Sequence, residues 1–204
     1  LLVTGVQTCA LPISIAIATP GIINNGIVDT MKIEGMVDGT DIKDALNKHY
    51  RQKIILCNDV NSVAVGYHAC QNNYHNISVI FQPVGTNAGI GNIINDQLHV
   101  GNNSLSGEVQ FMPLKLSKSR FELNKTAEGT IELLTQEVLL CIVTVAPELI
   151  VICNVLFDLD ELKNELLKYL PKDYCPKITK IDYLQDYSFI GSFILAIREC
   201  GDDK

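Results

Sequence analysis

Apolar and polar positions alternate along this chain with two periods, and the switches between them mark its elements. Ile15-Ala16-Ile17-Ala18-Thr19 is a short apolar run ending at Pro20-Gly21, which predicts a strand entering a turn. Asn24-Asn25-Gly26 before Ile27-Val28 predicts a hairpin. Helical spacing starts at Asp41-Ile42-Lys43-Asp44-Ala45-Leu46, with Thr40 or Asp41 as cap, and extends to Tyr50. Lys53 to Cys57 reads as another strand. It stops at Asn58-Asp59, and a small-residue helix follows to about Cys70.

A polar break, Asn72-Asn73-Tyr74-His75-Asn76, separates this half from a second one. Ile77 to Phe81 opens a new sheet. Ala88 to Ile94 and Gln97 to Val100 flank Asn95-Asp96, the signature of a tight hairpin. Thr126 to Ala146 has the length and spacing of an apolar helix, broken by Pro147-Glu148 before a buried strand at Leu149-Ile152. An amphipathic helix at Leu159 to Leu170, a strand at Lys177 to Tyr183 and a final helix at Asp186 to Glu199 complete an α/β pattern.

The 204 residues suffice for one ordinary domain or two small lobes. With 47% apolar and 19% charged residues the chain is globular, and a formal net charge of −7 argues against a nucleic-acid surface. The most apolar stretch, Val138 to Phe157, is interrupted by Pro147, Glu148 and Asn154, so it predicts no membrane span. Seven cysteines sit mostly in apolar stretches with no Cys-x-x-Cys pair. They read as free thiols of a reducing compartment, the cytoplasm. The four histidines, at 49, 68, 75 and 99, are scattered and read as ordinary surface or packing residues.

Candidate chemistry begins where the strand at 53–57 hands over to a helix. Unpaired N–H groups and a partial positive charge at a helix start favour an ionised carboxylate. Asp59 there is either an N-cap or a proton acceptor in a site. Asn58 beside it offers amide donors and an acceptor, which suits vicinal sugar hydroxyls. Glu108, after Gly107, is either a solvated loop residue or a sugar ligand. Pro20-Gly21 is either a plain turn or a place where backbone approaches a ligand. Glycines at 85, 89 and 91 let backbone N–H groups converge on an anion.

Taken in order, the run from Ile54 through Asn58-Asp59-Val60-Asn61, then Gly85-Thr86-Asn87-Ala88-Gly89-Ile90-Gly91, Asn95-Asp96-Gln97-Leu98, Gly101 and Gly107-Glu108, resembles the ROK family of repressors, open reading frames and sugar kinases. The resemblance covers nearly all of Ile15 to Arg198. It implies a two-lobed actin-like ATPase (ribonuclease H-like) fold and ATP-dependent phosphorylation of a hexose. On it, Asp59 is the general base, Asn58, Glu108 and Gly21 bind the sugar, and Gly85 and Thr86 hold phosphate, with ATP and Mg2+ as cofactors. The partner implied is a small-molecule sugar; the family often forms dimers, which makes a homodimer possible and leaves the oligomeric state open. The alternative is the sugar-sensing domain of a ROK-type transcriptional repressor.

This chain also departs from the family pattern. Residues Val3 to Ile13 look like a translated sequencing adapter, so residues 1–14 are expected to be an artefactual leader. The family's opening Asp-x-Gly-Gly-Thr/Ser strand is missing, so the first strands of the N-terminal lobe are expected to be absent and the fragment inactive on its own. The partial N-terminal lobe is then 15–75, the C-terminal lobe 76–185, and 186–204 a helix packing back. Asn87 and Ile90 stand where the family has glycine, and Cys153-Asn154-Val155 replaces a glycine run. No cysteine or histidine lies between Met112 and Leu140, so the family's zinc cluster, and any metal site there, is not expected.

Overall fold

The structure, a computed structural model, describes residues 14–29, 40–71, 73–153 and 156–201. The adapter-like residues 1–13, Asn72, and Asn154-Val155 lie outside the described residues. Strand β1 (Ser14–Thr19) pairs in parallel with β5 (Lys53–Asn58), from Ser14 opposite Lys53 to Thr19 opposite Asn58. Both strands therefore end at the same edge, which brings Pro20-Gly21 beside Asn58-Asp59. Between them, β2 (Ile22–Asn24) and β3 (Ile27–Asp29) form the hairpin over Asn25-Gly26, both with positive φ. A two-residue strand, β4 (Thr40–Asp41), adds to β3. Helix α1 (Ile42–Asn47) is capped by Asp41, whose Oδ1 accepts from Asp44 N–H at 2.7 Å.

Helix α2 (Asp59–Cys70) follows β5 without a loop. A five-stranded sheet then forms from β6 (Ile77–Phe81), β7 (Gly89–Ile94), β8 (Gln97–His99), β9 (Leu149–Cys153) and β10 (Lys177–Ile181), in the order β10-β9-β6-β7-β8. The remaining helices are α3 (Arg120–Leu123), α4 (Ala127–Thr144), α5 (Leu159–Leu166) and α6 (Gln185–Gly201). The polar break at 73–76 is a chain connection and not a gap in packing, because α2 before it covers β6 and β7 after it.

Period-two alternation sorts the sheet's side chains between two cores. Ile77, Val79, Ile93, Leu149 and Val151 face α2, while Ile80, Ile90, Ile150 and Ile152 join Leu134 and Val138 of α4 and Leu162 and Leu166 of α5. The central strands are buried on both faces, so β9 is a continuous apolar run without alternation.

Helix α2 lies between this sheet and α6, and its residues from Val60 to Tyr67 are all buried. The two helices cross at Gly66 and Gly191. A Cβ on Gly66 would fall 1.9 Å from the carbonyl oxygen of Tyr187, and one on Gly191 would fall 1.7 Å from that of Ser62. Only glycine permits that approach. Ser62 and Ser188 hydroxyls meet at 2.9 Å across the crossing. Helix α6 also packs on β1 and β5, so it backs the strand that presents Asn58.

Candidate functional site

The carboxyl ends of parallel strands, where helices begin, are where ligands bind in open α/β sheets. Here that edge is Thr19-Pro20-Gly21 and Asn58-Asp59. The helix cap is Asn58 and not Asp59: Asn58 Oδ1 accepts from Asn61 N–H at 3.0 Å, and its Nδ2 donates to the Gly21 carbonyl at 3.0 Å. Asn58 has extended backbone, which suits a cap, while Asp59 is already helical. One amide thus fixes the helix start to the Pro20-Gly21 turn with one of its two N–H donors.

Asp59 is the first residue of α2. Its Oδ1 accepts from Val60 N–H at 2.8 Å. Burial raises its carboxyl pKa above the ordinary aspartate value, and backbone N–H groups only partly offset this. Behind it, Ser62 Oγ donates to the Asp59 carbonyl at 2.7 Å, tying the first turn into the α2–α6 crossing.

Glu108 reaches the same place from the segment that follows β8. Gly107 has φ +87°, and a Cβ there would lie 1.8 Å from the Ile90 carbonyl oxygen. The Ile90 N–H donates to the Gly107 carbonyl at 3.0 Å, which seats Glu108 beside the start of β7. Burial raises the Glu108 pKa most. A 3.0 Å hydrogen bond from Gln110 Nε2 opposes that, and repulsion from Asp59 and Asp29 adds to it.

Gly21, Asn58, Asn61, Ser104, Ser106 and Glu108 line one cavity of about 210 Å³. Ile23, Leu98, Val100 and Leu195 complete its walls, and a few polar groups set in an apolar lining suit a small ligand that carries both hydroxyls and an apolar face. Asp59 does not itself line the cavity, but its charge reaches Glu108. Glu108 also borders a larger cavity of about 380 Å³ on the α4 side, walled by Phe111, Met112, Leu140 and Cys141.

Gly85 and Thr86 do not line the first cavity. Gly85 N–H donates to Asn124 Oδ1 at 2.7 Å, and Asn124 Nδ2 donates to the Pro83 and Thr86 carbonyls at 2.6 and 2.9 Å. The Thr86 hydroxyl donates to the Asn87 carbonyl at 3.1 Å. Both groups expected to hold phosphate are engaged within the protein.

Sequence reasoning missed Gln110. Its amide joins Glu108 to Asn87, whose Nδ2 donates to Gln110 Oε1 at 3.3 Å. The signal was an amide side chain two residues after the glutamate. The histidines are not all scattered: His68 Nε2 and His75 Nδ1 meet Asp96 Oδ1 and Oδ2 at 2.9 and 2.8 Å. They come from α2 and the 73–76 connection, so only tertiary packing brings them together. Among the described residues, no group of three or more His, Cys, Asp or Glu is placed to hold a metal ion, and no helix is long and apolar enough to cross a membrane. The described cysteines, 57, 70, 141, 153, 175 and 200, are free.

The ROK family model matches residues 2–130. N-acetylmannosamine kinase of Haemophilus influenzae is 30% identical over 97 residues, covering 47% of this chain and 32% of that protein. The chain thus spans about a third of the curated relatives it matches. Among solved structures, the Lmo2764 protein of Listeria monocytogenes superposes with a TM-score of 0.71 at 16% identity, covering 92% of this chain and 81% of that one. A ROK family glucokinase from Streptomyces griseus, in complex with glucose and AMPPNP, gives 0.69 at 13% identity, covering 91% and 81%. These likenesses identify the α/β architecture as the actin-like ATPase fold. With more than half of its residues matched, the chain belongs to the ROK family.

Proposed function

We propose that this chain carries the sugar-binding half of a ROK-type hexose kinase, with Asp59 as general base. The observation that carries the reading is the shared cavity: Gly21, Asn58 and Glu108 come from separate segments and line one space with polar groups set among apolar walls. Glu108 accepts hydrogen bonds from sugar hydroxyls, and the Gly21 turn, held by Asn58, presents backbone to the ring. Asp59 takes the proton of the attacking hydroxyl, and its raised pKa makes it a stronger base than an exposed aspartate. The glucose in the Streptomyces griseus enzyme and the name of the Haemophilus influenzae relative support a hexose or N-acetylhexosamine as the substrate class.

The nucleotide side has less support. AMPPNP in the glucokinase points to ATP, which would supply the phosphoryl group with Mg2+ screening its charge. Gly85 N–H and the Thr86 hydroxyl, however, are already paired within this protein and do not fit a phosphate as they stand. That same pairing favours the second reading, a ROK-type sugar sensor that binds without transferring phosphate.

Two assays separate the readings. Calorimetry on this chain, with glucose, mannose and their N-acetylamino forms, is expected to show binding of at least one. Sugar-dependent ADP release by the product of the complete reading frame, abolished by Asp59→Asn, supports the kinase. Binding without ADP release supports the sensor, and no binding overturns both.

A further inference from the structure

The segment between Glu108 and α4 contains a clasp. Helix α3 is one turn long, too short to be stable alone. Ser119 and Glu122 form a capping box on it: the Ser119 hydroxyl accepts from Glu122 N–H at 3.3 Å, and the Glu122 carboxylate accepts from Ser119 N–H at 3.2 Å. The stretch leading in is fastened to α4. Lys115 N–H donates to Gln136 Oε1, Gln136 Nε2 donates back to the Lys115 carbonyl, and the Glu132 carboxylate accepts from Ser117 N–H and hydroxyl.

From this anchored turn two side chains reach in different directions. Arg120 Nη2 donates to the carbonyls of Val109 and Met112, each at 2.8 Å, and so grips the turn that follows Glu108. Asn124, fully buried just past the other end, makes its three hydrogen bonds to Pro83, Gly85 and Thr86. The buried Glu137 on α4 faces Arg120 closely enough to feel its charge. A third link, Gln110, bridges Glu108 and Asn87 directly.

We infer that α3 is a clasp that locks the Glu108 loop and the Gly85–Thr86 loop into one register, with Arg120 and Asn124 as positioning residues. Both grips sit on one rigid turn, so loosening either loosens both loops. Arg120 acts on the sugar only through Glu108; that part rests on the sugar-binding reading, and the mechanical coupling does not.

Backbone amide hydrogen exchange tests the coupling in two conservative variants. Arg120→Lys keeps a cation near Glu137 but loses the planar fork. Asn124→Asp keeps an acceptor for Gly85 N–H but cannot donate to Pro83 and Thr86. Each is expected to speed exchange about tenfold or more at Gly85 and also at Phe111 and Met112, because a lost buried hydrogen bond exposes its partner. Acceleration confined to the variant's own loop, or none, overturns the clasp. Calorimetry supplies the second arm: Arg120→Lys is expected to weaken sugar binding, but to add nothing in the Glu108→Gln background. Additive losses would show that Arg120 does not act through Glu108. If the unaltered chain binds no sugar, the sugar reading fails and the exchange result alone decides the clasp.

Discussion

Glu108 feels the charge of Asp59: repulsion between the two carboxylates adds to burial in raising the Glu108 pKa. They lie in different halves of the sequence, so this coupling is a product of the fold. Asp59→Asn removes the repulsion, and the Glu108 pKa is expected to fall, as read by side-chain carboxyl NMR titration. An unmoved Glu108 would place the two groups too far apart to share a site.

A general base works only when ionised. Burial raises the Asp59 pKa above 3.8, so on the kinase reading kcat/KM of the complete reading frame's product is expected to rise with pH through an apparent value above the ordinary aspartate range. Asp59→Asn should lower turnover by about 10²–10⁴-fold and leave sugar affinity nearly intact. A loss carried entirely by KM would assign Asp59 to binding instead.

The α2–α6 crossing has no room for a methyl group. Gly191→Ala places a Cβ against the Ser62 carbonyl, and Gly66→Ala places one against Tyr187. Each is expected to cost about 3 kcal/mol by overpacking, read as a lower urea midpoint. Both helices would have to part, which also moves the first turn of α2. Wild-type stability in either variant would mean the helices are not in this contact.

Glu137 is fully buried on α4, and neither of its carboxylate oxygens has a hydrogen-bond partner among the described residues. Burial pushes its pKa up to about 8, against the pull of Arg120. Between about 4.5 and 8 the unfolded chain loses this proton and the folded chain keeps it, so stability falls as pH rises. Glu137→Gln should remove that slope. Denaturation is expected to show the variant more stable than the parent near pH 8, by a few kcal/mol, and little different below pH 4.5.

The His75–Asp96 pair stabilises over a window of pH, bounded on both sides. Hydrogen bonding to Asp96 raises the His75 pKa above 6.5, and His75 and then His68 lower that of Asp96 below 3.8. Glu148 also faces His75, bonding its backbone N–H. The histidine's contribution is complete below 6.5 and lost as pH rises through its folded value; the aspartate's is complete above 3.8 and lost as pH falls. Asp96→Asn should therefore destabilise most between those limits. The pair is exposed, so the effect should be small and shrink with salt. An equal effect at alkaline pH would contradict this.

The parts of the fold set by local pattern were legible. The strands around Ile54 and Ile77 and the Pro147 break all follow from spacing and turn chemistry. The crossing of α2 and α6 at Gly66 and Gly191 was not legible, because no local pattern pairs two glycines so far apart in the chain. The cap assignment missed because Asn58 and Asp59 are both good caps, and only backbone geometry separates them. Helix α3 was invisible because a single turn has no period to detect; tertiary bonds from Gln136 and Glu132 hold it. The meeting of His68 and His75 at Asp96 needed three separate segments in place. At the site, Asn58 and Glu108 were readable as chemistry, but the occupation of Gly85 N–H by Asn124 was not, since nothing local links them.

The sugar-binding reading stands on the cavity shared by Gly21, Asn58 and Glu108, and Glu108→Gln probes it while leaving the side chain's size and shape in place. Titration calorimetry of both proteins against the same panel of hexoses and N-acetylhexosamines is the most direct measurement. The unaltered chain is expected to bind at least one sugar, and the variant to bind it about tenfold or more weakly, the worth of hydrogen bonds to a charged acceptor. Equal affinity in the two proteins, or no sugar bound by either, would contradict that reading.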